Sequence, residues 1–94
     1  MSDARLLSII GAVKDLPNDT EKHAKAILMM EGACITVNQL KQLLNTFFAE
    51  DSKYAFAKQV YEKTKDNPEF HKLSEVFMDV VVKNKFQKFL QSKK

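Results

Sequence analysis

Two histidines, one cysteine and five serines are the side chains of this 94-residue chain best suited to metal or nucleophilic chemistry. His23 and His71 lie far apart in the sequence, and Cys34 is the lone thiol, so a structural zinc set of four Cys and His ligands cannot be assembled. Ser2, Ser8, Ser52, Ser74 and Ser92 carry no nucleophile-elbow motif, whereas a nucleophile needs a base and an orienting group converging beside it. Gly11 and Gly32 are isolated, so no glycine-rich loop can cradle a phosphate. Asp15, Asn18, Asp19 and Glu21 have the acidic density of a calcium loop. They lack its central glycine and its glutamate at the twelfth position, and helix capping accounts for them more simply. Cys34 falls in a turn with no activating neighbour in view. The expectation is a protein without catalytic residues, metal or cofactor, in which His23 is partly buried and hydrogen-bonded rather than a ligand.

The elements that would hold these residues are helical. Only two glycines and two prolines are present, too few for the many tight turns of a sandwich or barrel. A first helix over about 3–14, capped by Ser2 or Asp3, carries Leu6, Leu7, Ile10 and Val13 on one stripe. Leu16-Pro17 ends it. Asn18, with Glu21 three residues on, opens a second helix over 19–31 that turns Ala24, Ile27 and Leu28 inward and stops at Gly32. Thr36 and Gln39 repeat the capping pattern for a third, striped by Val37, Leu40, Leu43, Leu44 and Phe47. Asp51 is read as the cap of a fourth, with Tyr54, Ala57, Val60 and Tyr61 inward. Asn67-Pro68 opens a fifth carrying Phe70, Leu73, Val76, Phe77 and Val80, and Asn84 with Gln87 opens a sixth carrying Phe86, Phe89 and Leu90. Turns are predicted near 15–18, 32–35, 49–51, 65–68 and 82–84.

Residues 18–48 can be laid over 51–81 without a gap, at an offset of 33, with apolar positions coinciding. Ala24 falls on Ala57, Leu40 on Leu73, Phe47 on Val80 and Phe48 on Val81. Each copy reads as two short amphipathic helices joined by a turn. The predicted fold is therefore all-α, with five or six short helices as stacked helical hairpins in an α-solenoid-like bundle, forming one domain over 1–94. A death-fold-like six-helix bundle is the architectural alternative.

Two surfaces invite a partner. Ala26, Met29 and Met30 are apolar where the offset places the polar Gln59, Glu62 and Lys63, so the outer side of the second helix is a candidate protein-binding face. Packing under a neighbouring helix is the competing explanation. The net charge of +3 gathers in the last third, where Lys83, Lys85 and Lys88 interleave with Phe86, Phe89 and Leu90. They are candidate contacts to nucleic acid or an anionic membrane surface. The plainer reading has them solvating the outer face of the last helix.

The run Ile35-Thr36-Val37-Asn38-Gln39-Leu40, then Phe48-Ala49-Glu50-Asp51-Ser52-Lys53 and Tyr54-Ala55-Phe56-Ala57-Lys58-Gln59-Val60-Tyr61, with an aromatic at Phe70, resembles the helical domain-of-unknown-function family numbered 4476 (DUF4476-like) over roughly residues 5–90. The resemblance implies a helical fold and no established activity, cofactor or catalytic residue. The functional expectation is a non-enzymatic helical protein–protein interaction module whose partner is another protein or a second copy of itself. Binding of nucleic acid or an anionic membrane through the C-terminal lysines is the alternative. Met1-Ser2-Asp3-Ala4-Arg5 has no secretory pattern, and a lone cysteine suits a reducing compartment, so a cytoplasmic location is expected.

Overall fold

Local capping explains most of the helix starts. Ser2 accepts from the Arg5 N–H to open α1 (Asp3–Val13), and Asn18 accepts from the Glu21 N–H at 2.9 Å to open α2 (Asp19–Met29). Thr36 and Gln39 form a reciprocal capping box at the head of α3 (Val37–Leu44). α4 spans Glu50–Val60 and α5 spans Val80–Ser92. Two 3-10 segments, Tyr61–Lys63 and Asn67–Val76, complete the helical elements among the described residues. The structure is a computed structural model describing residues 1–93, and Lys94 of the basic tail lies outside them.

The helices form three consecutive pairs: α1 with α2, α3 with α4, and the long 3-10 segment with α5. α1, α3 and the long 3-10 segment pack side by side as one row, and α2, α4 and α5 as the other. The extents of 31 × 27 × 17 Å fit two helical layers, since packed helix axes stand about 8–10 Å apart. Between the rows lies a single apolar core that includes Leu6, Ile9, Leu40, Leu44, Phe56 and Phe86. The fold is all-α. An isolated bridge, Ile35 to Thr64, ties together the two loops that connect successive pairs.

Several sequence expectations shift against this frame. α2 and α3, read as one hairpin, do not pack together; each belongs to a different pair. A 33-residue step from Asp19 lands on Ser52, inside α4, and one from Glu50 lands on Lys83, inside α5, so that period does not carry one helix start onto the next. The fourth helix starts at Glu50 with Ala49 in the capping position, which leaves Asp51 in the first turn rather than at the cap. The fifth element winds as a 3-10 helix and stops at Val76, and the last helix starts at Val80 with Asp79 as its cap, so Asn84 lies well inside it. The turn expected at 82–84 is therefore at 77–79.

The inward stripes also rotate. Leu7, Leu28 and Val80, expected in the core, are exposed, and so is Ala24. α1 buries the expected Leu6 and Val13 but Ile9 in place of Leu7, because the doublets Leu6-Leu7 and Ile9-Ile10 allow two neighbouring registers and packing chooses one. α2 buries Lys22 and Ala26, with Met30 at its cap, a stripe spaced by four. A lysine in the inward stripe hides that face from a hydropathy pattern.

Candidate functional site

One end of the domain gathers the tight turns within the three pairs, and the chain holds two of them with carboxylates. Asp19, the first residue of α2, accepts the backbone N–H groups of Phe48 at 2.9 Å and Ala49 at 2.8 Å. Glu50, the first residue of α4, accepts those of Met78 and of Asp79, the latter at 2.8 Å. Desolvation raises the pKa of Asp19, but the bonds from Phe48 and Ala49, the Ser52 hydroxyl and the nearby Lys22 charge outweigh it and hold the carboxyl below its ordinary value. Glu50 behaves alike: desolvation raises its pKa, and the N–H groups of Asp79 and Met78 together with Lys53 bring it below the ordinary value. Asp79 in turn caps α5 by accepting from the Val81 N–H at 2.8 Å.

This clamping displays apolar side chains to solvent. Phe48 is 70% exposed, Met78 85%, Val80 70% and Val81 62%. Beneath Phe48 lies the ammonium of Lys22, 3.6 Å from the ring centroid and 2.5 Å from the Thr46 carbonyl oxygen that accepts its bond. Lys22 is almost wholly buried, so the ring acts as a cover: one face rests on the ammonium and the other looks outward. Phe48 and Met78 on two adjoining turns, with Val80 and Val81 at the head of α5, expose large apolar side chains at this end, a feature monomeric proteins seldom leave unused. Sequence reading set Phe48 opposite Val81 but did not recognise that both face outward. The usable signal was the doublet Phe47-Phe48 and the triplet Val80-Val81-Val82, of which only Phe47 and Val82 can enter the core.

The candidate face on the second helix does not survive as a surface. Ala26 and Met30 are each 0% exposed and Met29 is half-buried against the core, because α1 packs over that side of α2. The Arg5 guanidinium reinforces the cover by donating to the Met29 carbonyl at 2.9 Å and the Glu31 carbonyl at 3.0 Å. Of the three lysines, Lys85 and Lys88 are exposed on the outer face of α5, on one stripe with Val81, whereas Lys83 is half-buried on a different side.

The residues suited to chemistry are engaged elsewhere. His23 is half-buried, donates through Nε2 to Gln59 Oε1 at 2.6 Å, and packs edge-on against Phe56. Ser52 helps lower the pKa of Asp19, and Asp19, His23 and Ser52 border one shallow cleft between α2 and α4. Cys34 is exposed, and its carbonyl oxygen accepts from the chain's amino terminus at 2.7 Å. Among the described residues no three His, Cys, Asp or Glu side chains are placed to hold a metal ion, and no helix is long and apolar enough to cross a membrane.

Paired short helices in two rows, with exposed apolar side chains at the turn end, define a small all-α domain. Residues 2–90 match the family described as "Domain of unknown function (DUF4476)", and the chain belongs to that family. No curated protein and no solved structure matches it.

Proposed function

We propose that the domain is a non-enzymatic protein-binding module that docks through the turn end of its helix pairs. The exposed cluster of Phe48, Met78, Val80 and Val81 carries this reading. Covering such a patch removes apolar area from water at about 25 cal/mol per Å2. The turns that present it are fixed by Asp19 and Glu50, so little ordering entropy remains to oppose docking. The partner is a protein with an apolar face, either a different chain or a second copy.

The test compares the wild type with Phe48→Ser and Val81→Ser, separately and together, as bait in native lysate with and without nuclease, alongside sedimentation equilibrium of the pure protein. The reading expects a protein, or a self-associated species, that persists after nuclease treatment and is lost in the double variant while helical circular dichroism is unchanged. Capture that is indifferent to both substitutions, or that disappears with nuclease, would sink it.

A second reading rests on the stripe Val81, Lys85 and Lys88, which sets ammonium groups beside apolar side chains as a membrane-surface helix does. It predicts binding to anionic vesicles rather than to protein.

A further inference from the structure

At the end of α5 remote from the 77–79 turn, a cleft of about 660 Å3 opens against the start of the long 3-10 segment. Its apolar walls include Tyr61, Phe70 and Leu90, and its rim carries His71, Gln87, Gln91 and Lys93. The Tyr61 ring stands edge-on to Phe70, centroids 4.9 Å apart, and to Phe89 at 5.5 Å, which fixes the aromatic wall. A volume of this size is within the range of small-molecule sites, which combine apolar walls with a few convergent polar groups.

The charge in this cleft is one-sided. Lys93 Nζ hangs 5.6 Å from the Tyr61 centroid and 5.4 Å from that of Phe89. No carboxylate is among the lining side chains of the described residues. The nearest partner of Lys93 is Glu62 at 3.8 Å, a well-exposed and therefore weak pair that a better-placed anion can displace. Gln87 and Gln91 lie one turn apart on the same face of α5, offering amide N–H donors beside that ammonium.

We propose that this cleft binds a small monocarboxylate with an apolar or aromatic tail. The tail lies along Tyr61 and Leu90, backed by the buried Phe70 ring, while the carboxylate accepts from Lys93 and the two glutamine amides. An amine suits it poorly because it meets the ammonium, and a dianion brings a second charge for which the described residues of the rim hold no second lysine or arginine. The site is at the opposite end of α5 from the Val80–Val81 surface and does not rest on the protein-docking reading.

The probe is 3-phenylpropionate titrated into the 15N-labelled full chain, with 3-phenylpropylamine as the control of reversed charge. Expected are saturable amide shifts confined to residues 61–71 and 87–93 with the acid and absent with the amine. Lys93→Gln, a surface change, should raise the dissociation constant about tenfold, equivalent to about 1.4 kcal/mol. Gln87→Trp should fill the cleft and abolish the shifts, and Gln91→Trp should do the same if the first variant fails to fold. No saturable shift, equal shifts with acid and amine, or an affinity unchanged in Lys93→Gln would each overturn the assignment.

Discussion

Glu50 and Asp79 are distant in sequence, yet the Glu50 carboxylate accepts the Asp79 backbone N–H at 2.8 Å. Asp19 holds Ala49 in the same way, also at 2.8 Å. In both cases the first residue of an outgoing helix grips the turn of the next helix pair. The carboxylate thereby satisfies backbone donors just outside a following helix and also places negative charge at the positive end of its own. These bonds link neighbouring pairs where the core does not reach.

Acid should therefore loosen the turn end. Desolvation opposes ionisation of both carboxyls, but the backbone and side-chain bonds outweigh it, so each folded-state pKa is below its unfolded value. A depressed carboxyl pKa contributes stability that is complete above the unfolded value and lost as pH falls through the folded one. Urea midpoints should stay level from neutral pH down to the ordinary carboxylate range and then decline. Glu50→Gln should be less stable than wild type at neutral pH and show a shallower decline. Parallel pH curves for the two proteins would show that Glu50 does not contribute to the slope.

Core substitutions should separate the observed stripe from the one hydropathy alone suggests. Leu40 and Leu73 are wholly buried, and truncation of either to alanine should cost about 2–4 kcal/mol. Leu7→Ala, on the exposed side of α1, should stay within about 0.5 kcal/mol. Denaturant midpoints measure both, and equal losses at Leu7 and Leu40 would show that α1 is rotated from the orientation described.

The caps were legible because they are local: Ser2, Asn18, and Thr36 with Gln39 each act within three residues of themselves. Leu40 and Leu73 were legible because each is a single apolar position between polar neighbours at helical spacing; Leu44, Phe47, Ala57, Val60 and Phe77 were also read inward, although each has an apolar neighbour. Where apolar residues come in runs, periodicity admits two registers, and the wrong members, Leu7 and Val80, were taken. On α2 the true stripe begins with Lys22, whose ammonium finds Thr46 and Phe48 from elsewhere in the fold. That pairing is nonlocal, so the helix face containing Ala26 and Met30 read as surface. The patch at Phe48 was missed for the same reason. Its outward orientation depends on Asp19 gripping a turn in a different helix pair.

The two glycines should respond to alanine with opposite signs. Gly32 follows α2 with φ of +77°, where a side chain is strained although there is open space for it. Gly32→Ala should cost about 1–2 kcal/mol from backbone strain alone. Gly11 is in the exposed interior of α1, again with open space beside it, and glycine there forgoes helix propensity. Gly11→Ala should stabilise by about 0.5–1 kcal/mol. Thermal midpoints moving in the same direction for both variants would contradict the assigned backbone conformations.

Replacing Lys83, Lys85 and Lys88 together with glutamine decides between the protein-docking and membrane readings. Lys85 and Lys88 are exposed beside Val81, and a lysine near an anionic bilayer contributes about 1 kcal/mol. Two such contacts supply about 2 kcal/mol, short of stable attachment unless the apolar patch inserts as well. Lys83 is half-buried, so its charge adds less. With protein docking as the role, wild type and triple variant should both remain in the supernatant when centrifuged with phosphatidylserine-rich vesicles near physiological salt. Capture from lysate through Phe48 should be unaffected by the triple change. The experiment needs a salt series, because screening is weak in dilute buffer and exposed ammonium groups adhere to any polyanion there. Vesicle binding by the wild type that persists near physiological salt and vanishes in the triple variant would transfer the role of this surface from protein to membrane.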